Sequence, residues 1–198
     1  FAYLRHERTL QEELQLQGTA HAQQVAWQAV STAHKVAMLG YFDGLLARPV
    51  VLECMAASGS DDLKRQVAAR ARLYRELSPL YEQLLQRNVR QLHFHTPDNR
   101  SFLRFHAPRN SGDSLVASRP SVVTANRTLK PVFGFETGRV ITGFRNVFPI
   151  IHQGRHLGSV ELSQPFEAIR RSLSELEPQN EFLLLLKGSV LLPKLLEE

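Results

Sequence analysis

The sequence predicts an α+β fold: a helical first half packed on a small, curved antiparallel sheet in the second half. Three observations carry this. Residues 1 to about 47 contain no proline and place Ala22, Val25, Ala26, Ala29, Val30, Ala33, Val36 and Ala37 at helical three-four spacing. Val89–Ser163 breaks instead into short runs that alternate in polarity and are joined by tight turns. Within those runs arginine and histidine sit at alternating positions, which suggests a sheet built to hold something.

The first helix is expected to end at Arg48-Pro49, because proline lacks an N–H and pushes the preceding residue out of the helical region. Its apolar stripe is narrow and alanine-rich, which suits close approach of another helix, such as its own copy in a dimer. Trp27 lies off that stripe, placed to pack on the sheet, while His21 and His34 read as solvated or interfacial. Val50–Ala57 reads as a short helix ended by Ser58-Gly59. Ser60 or Asp61 then caps a helix to about Asn88, with Leu63, Val67, Ala71, Tyr74, Leu77, Leu80, Tyr81, Leu84 and Leu85 on its apolar side. Pro79 marks a kink or a junction inside it.

In the first strand Leu92, Phe94 and Thr96 point one way; Gln91, His93 and His95 point the other. Pro97-Asp98-Asn99 supplies the turn. In the second strand Phe102, Arg104 and His106 share a face. Pro108–Asp113 reads as a loop and Ser114–Thr128 as a helix interrupted near Pro120. Lys130–Glu136, Arg139–Ile151 and His156–Ser163 are the remaining strands, the last two joined by a hairpin at Gln153-Gly154. Gln164–Leu176 reads as a helix started by Pro165, and Phe182–Leu186 as an apolar strand. The division expected is residues 1–88, helical, and residues 89–198, the sheet module with its final helix and strand.

Composition narrows the functional classes. The chain has 198 residues and no run long and apolar enough for a membrane span. It opens on Phe1 within a helical pattern, without initiator Met or signal peptide. That predicts a segment of a longer protein, with membrane anchors or output domains outside it. One cysteine, Cys54, excludes an internal disulfide and any zinc site with two thiolates; on an apolar helix face it reads as a small buried hydrophobe. The net charge of +5 is spread along the chain and no basic-aromatic cluster occurs, which argues against nucleic acid.

Catalytic signatures are missing. There is no G-x-S-x-G elbow, no phosphate-cradling glycine loop and no sequence partner for Cys54, so no enzyme activity and no cofactor are expected of this segment. Two binding constellations remain. His93, His95 and His106 on adjacent strands would make an imidazole cluster for a metal, or lie on an exposed face. Haem is disfavoured for want of C-x-x-C-H. Arg104, Arg119, Arg139 and Arg145 lie in or beside the sheet, where a guanidinium is a natural bidentate partner for a carboxylate. The alternative is that they are solvated or bridge to Glu136 and Glu161. Phe133, Phe135 and Phe144 are candidate pocket walls. Tyr81 is a core residue or one that brings its hydroxyl to the pocket edge.

The stretches LHFHTPDNRSFLRFHAP, ANRTLKPVFGFETGR and VFPIIHQGRHLGSVEL resemble the periplasmic Cache sensor domains of bacterial transmembrane receptors. The likeness is to the double-Cache type of chemotaxis receptors, histidine kinases and diguanylate cyclases, and it spans roughly residues 45–165. It implies a PAS-like curved antiparallel sheet packed on a long N-terminal helix, with a ligand pocket on the sheet face away from that helix. It implies a segment between two membrane spans, outside the cytoplasm, acting as a homodimer through the N-terminal helices. Ligands of such domains are small metabolites: amino acids, carboxylates, amines or purines. The residues after Ser163 are too few for a second full module, so the chain is expected to be a single-module version or to keep a remnant at Phe182–Leu186.

The resulting expectation is an extracytoplasmic domain that senses a small metabolite, with Arg104 and Arg119 or Arg139 as anion anchors, His106 as a polar partner and Arg145 among the ligand-binding residues. Phe133, Phe135, Phe144 and Tyr81 complete the expected pocket. The alternatives are a ligand-free PAS-like dimerisation module and a metal or haem sensor using His93, His95 or His106.

Overall fold

The computed structural model describes residues 2–137 and 142–189. Helix α1 spans Ala2–Leu46, α2 Pro49–Ser58 and α3 Leu63–Gln86. Strands β1 (Gln91–His95) and β2 (Ser101–Arg104) precede α4 (Pro120–Thr128). Then follow β3 (Val132–Glu136), β4 (Gly143–His152), β5 (Arg155–Gln164) and α5 (Phe166–Leu176). The helices form for the reasons the sequence supplies. Pro49 sits in the first turn of α2, where a missing N–H costs nothing. Asp62, one residue beyond the expected cap, accepts from the backbone N–H groups of Lys64 and Arg65 and starts α3. Pro79 lies inside α3, which continues through it as one helix.

The five strands form one antiparallel sheet in the order β2-β1-β5-β4-β3. Gln153 and Gly154 both have positive φ, so they make the tight β4–β5 turn whose twist matches the strands. The long connection from β2 to β3 crosses one sheet face and carries α4 over it. On the other face, Leu92, Phe94, Leu103, Phe148, Ile150, Val160 and Leu162 pack against Met38 and Leu45 of α1, Met55 of α2, and Leu73, Leu77 and Leu84 of α3. One core therefore joins residues on both sides of position 88.

Several local expectations are corrected. The alanine-rich stripe of α1 is split: Val30 is buried and Ala26 half-buried against the domain, while Ala22, Val25, Ala29, Ala33, Val36 and Ala37 are exposed. The docked face is Val30, Met38 and Leu45, flanked by His34, Tyr41 and Phe42. Trp27 reaches the sheet as expected, its ring 5.9 Å from that of Phe144. β2 ends at Arg104, so His106 lies in the following turn rather than in the strand. The expected helix over Ser114–Thr128 is only Pro120–Thr128; Pro120 sets its start, and Ser114 instead bridges to Arg100. β4 begins at Gly143, and Arg139 lies outside the described residues. Phe182–Leu186 is irregular rather than a strand, with Leu183 and Leu185 exposed. Val190–Glu198 also lies outside the described residues.

Candidate functional site

The candidate site is the sheet face under α4. Strict alternation puts Gln91, His93 and His95 of β1 on it, with Ser159, Glu161 and Ser163 of β5 directly opposite. Arg145 of β4 pairs with Ser163, and Arg104 of β2 pairs with His93. Val122 and Ala125 of α4, with Leu115, Val147 and Val132, form a small apolar roof above one side. This covering sequesters the polar row: Gln91, His93, His95, Arg145, Ser159, Glu161 and Ser163 are all buried.

Buried charges persist only when paired and hydrogen-bonded. Arg145 Nη1 donates to Glu161 Oε1 at 2.6 Å, and also to Gln91 Oε1 and to Ser163 Oγ. Ser163 in turn donates to Glu161 Oε1. His93 Nε2 lies 2.9 Å from Ser101 Oγ, and His95 Nδ1 3.0 Å from Ser159 Oγ. Burial pushes His95 down to about 3 against the pull of Glu161, and pushes His93 well below its ordinary value. Both imidazoles are therefore neutral at pH 7. Burial alone would raise Glu161, but Arg145 and Arg119 hold it down at about 2, an ionised carboxylate.

Some of this buried polar capacity is unmatched. Glu161 Oε2 and His95 Nε2 lie 3.9 Å apart with no hydrogen-bond partner. Arg119, at the start of α4, faces Glu136 of β3 across 4.0 Å; neither Arg119 Nη1 nor Glu136 Oε2 has a hydrogen-bond partner. Asn126 Oδ1 and Ser121 Oγ, both from α4, add to this set. Each such group costs stability unless something meets it.

The sequence-predicted residues divide between places. Arg104 is held bidentately by Asp113 at 2.7 and 2.8 Å and also donates to the Asn110 carbonyl, so it closes the loop after β2. His106 is an exposed residue at the rim, its ring 6.5 Å from that of His93. Arg119 and Arg145 line the polar face, each beside a carboxylate. Phe133, Phe135 and Phe144 lie on the opposite sheet face, toward α1; Phe133 packs on Phe148 and Phe144 on Trp27. They do not share a pocket with the arginines. Tyr81 donates to the Arg90 carbonyl and packs on Phe105, away from both.

Among the described residues, one group has metal-ligand geometry: His93, His95 and Glu161, with donor atoms within 4.8 Å of one another. Histidines alone suggested it; Glu161 completes it from across the sheet. The surroundings oppose a cation, because Arg104, Arg119 and Arg145 all bear on these histidines or on Glu161, and Glu161 Oε1 is already engaged. Gln91, Ser159 and Ser163 were absent from the sequence-derived site, whereas Glu161 was expected only as a bridge to the arginines, which it is for Arg145. The signal for the serine-glutamate-serine set was present in the alternation of β5.

Residues 60–193, more than half of the chain, match the family described as the double sensory domain of two-component sensor kinases. The chain belongs to that family. It is a sensory rather than a catalytic module. No curated relative matches it in sequence. Among solved structures it resembles the sensory domain of the Campylobacter jejuni chemoreceptor Tlp3 (CcmL) with isoleucine bound, at TM-score 0.54 and 10% identity, over 75% of this chain and 59% of that one. A domain of a sensory box/GGDEF family protein from Vibrio parahaemolyticus aligns at TM-score 0.48 and 13% identity, over 78% of this chain and 61% of that one. The chain thus spans about three-fifths of the length of these neighbours. The α+β Cache fold expected from the sequence is the fold found. Among the described residues, no helix is long and apolar enough to cross a membrane.

Proposed function

We propose that this chain is an extracytoplasmic sensing domain of a bacterial membrane receptor. It binds a small polar metabolite on the sheet face under α4. The observation that carries this is the unmatched, buried set around Arg119, Glu136, His95 and Glu161. It offers a guanidinium N–H for a carboxylate, and carboxylate oxygens for a donor. A compact molecule with both groups, such as an α-amino acid, meets both demands; a chemoreceptor of similar fold binds isoleucine. The anchor residues are Arg119 and Arg145, with Glu136, His95 and Glu161 as their complements. Arg104 shapes the loop at the rim.

Ligand is converted to signal by position, not chemistry. α4 roofs the site, and β4 carries Arg145 on one face and packs α1 on the other. Occupancy biases the sheet and so the setting of α1. The exposed alanine-rich face of α1 is the surface for a second copy, and spans flanking the domain set it outside the cytoplasm. A closed module that binds nothing is the competing reading, favoured by how completely Gln91 and Ser163 surround the Arg145–Glu161 pair.

A thermal-shift screen against amino acids and small carboxylates separates the two, because a ligand of the folded state raises its apparent stability by mass action. Binding under α4 predicts a hit whose shift is lost in both Arg119→Ala and Glu136→Gln. A hit unaffected by either change would place the ligand elsewhere. A shift given only by divalent metal and abolished by His95→Ala would establish the metal site instead.

A further inference from the structure

A cavity lies on the other side of the sheet, between α1, the β3–β4 edge and α5. It has a volume of about 170 Å³. Four aromatic residues line it, Trp27, Phe133, Phe135 and Phe144; Trp27 meets Phe144 at 5.9 Å and Phe135 meets Phe144 at 5.2 Å. Its floor is polar. Asn146 and Gln164 lie there, both nearly fully buried, and the hydroxyl of Ser31 is buried without a hydrogen-bond partner. Lys35 stands at its mouth, with Nζ 5.7 Å from the centre of the Phe133 ring.

We propose that this cavity is a second ligand site, distinct from the one under α4, for a single-ring aromatic carboxylate. Size limits the ring count, since the volume falls below the several hundred Å³ that drug-sized molecules occupy. The tilted aromatic walls suit edge and offset contacts with one flat ring. Charge fixes the other end: the lining holds the Lys35 ammonium and no carboxylate. An anion is therefore matched by Lys35 and the Ser31 hydroxyl, whereas the ammonium of an amino acid finds no counter-charge. This distinguishes the site from the one under α4, where carboxylates and a guanidinium are mixed.

The placement gives such a ligand a direct hold on α1. His34, one residue from Lys35, is hydrogen-bonded to Gln164 at the end of β5 and to Ser172 of α5. A ring seated between Trp27 and Phe135 joins α1 to the sheet edge beside that link. The site is thus an input that reaches α1 without passing through the sheet.

Trp27 is the sole tryptophan of the chain, so emission comes from the wall of this cavity, and the variants below separate binding there from a shift of α1. Titration of the full chain with phenylacetate is expected to give a saturable change in emission. Lys35→Met, a change at an exposed position, is expected to weaken binding about tenfold, the loss of one charge-assisted hydrogen bond. The neutral phenylacetamide should be weakened alike. Arg119→Ala should leave the titration unchanged, which keeps this test separate from that of the site under α4. The proposal fails if no saturable change occurs up to about 10 mM. It also fails if Lys35→Met or phenylacetamide binds as well as the parent pair. Loss of the signal in Arg119→Ala would show one site instead of two.

Discussion

The two faces of the sheet solve burial in opposite ways. Toward α1–α3 the strands present Leu92, Phe94, Leu103, Phe148, Val160 and Leu162, an ordinary apolar core. Toward α4 the same strands present His93, His95, Arg145 and Glu161, equally buried. Burial of apolar surface stabilises at about 25 cal/mol per Å² and needs no particular geometry. The polar face holds together only if each charge keeps its partner, and an apolar replacement would serve stability as well or better. A fold that needed only stability has no use for the second face. The recognition proposed beneath α4 would give it one, and the contrast can be tested by breaking each face in turn.

The largest effect is expected from Glu161→Ala, which takes the buried carboxylate from beside Arg145. Breaking one partner of a buried pair costs about 3–5 kcal/mol. Leu162→Ala, the neighbouring residue on the apolar face, should cost about 2–5 kcal/mol through its cavity. Urea denaturation of both measures the difference. The sharper comparison is the double change Arg145→Met with Glu161→Leu. It should restore stability to near that of the parent while abolishing the ligand-induced thermal shift. A double variant as unstable as Glu161→Ala would make the pair a structural requirement and remove the argument for recognition.

Acid should also weaken the polar face selectively. His95 sits at about 3 in the fold against an ordinary 6.5, and Glu161 at about 2 against 4.5. Both are depressed, so in each case the unfolded chain takes up protons first. Stability is full above about pH 6.5 and falls with acidification, from 6.5 toward 3 for His95 and from 4.5 toward 2 for Glu161. The combined loss is on the order of several kcal/mol. His95→Asn should lessen the fall between pH 6.5 and 4.5, leaving the share that buried His93 contributes. An unchanged profile in that variant would mean His95 is not the group that titrates there.

The apolar face was largely legible in the sequence, and the polar face only in part. Period-two alternation gave the strands, and Gln153-Gly154 and Pro49 gave breaks at their right places, because these signals are local. Alternation also separates Phe144 from Arg145, so the expected joint pocket was excluded by geometry already present in the sequence. Pairings across strands were not legible. Nothing near His93 in sequence announces Glu161, which the β1–β5 register sets opposite it. The docked side of α1 was not legible, because alanine suits either a close neighbour or solvent. There Val30, Met38 and Leu45 decided which face docks.

Gly158 links the two faces through the backbone. Its φ is +119°, and a Cβ there would run into the carbonyl oxygen of His95 while crowding the Met55 side chain. Gly158→Ala therefore strains β5 against β1 at the row that carries His95 and Ser159. A loss of about 1–3 kcal/mol is expected, the usual cost of a strained backbone position. The same change at Gly154, whose φ is +75° but whose Cβ meets open space, should cost less. Equal losses at the two would show that turn conformation alone, rather than the close approach of β1 and β5, sets the cost.

The smallest effect belongs to Arg104. Its bidentate pair with Asp113 is well formed, but the Asp113 side chain is 54% exposed, so solvent screens the interaction. Arg104→Ala should cost no more than about 1 kcal/mol. Its consequence is local, since Arg104 also holds the Asn110 carbonyl and so the loop that leads toward Arg119. Amide hydrogen exchange should quicken at Ser101, whose N–H donates to the Asp113 carbonyl, and at Asn110, whose N–H donates to that of Ala107. Exchange at Leu162 and Val160, on the apolar face, should not change. Ligand affinity should fall modestly, in contrast to its loss in Arg119→Ala. A loss in Arg104→Ala as complete as in Arg119→Ala would move Arg104 from the rim into the site and make Asp113 its resting partner.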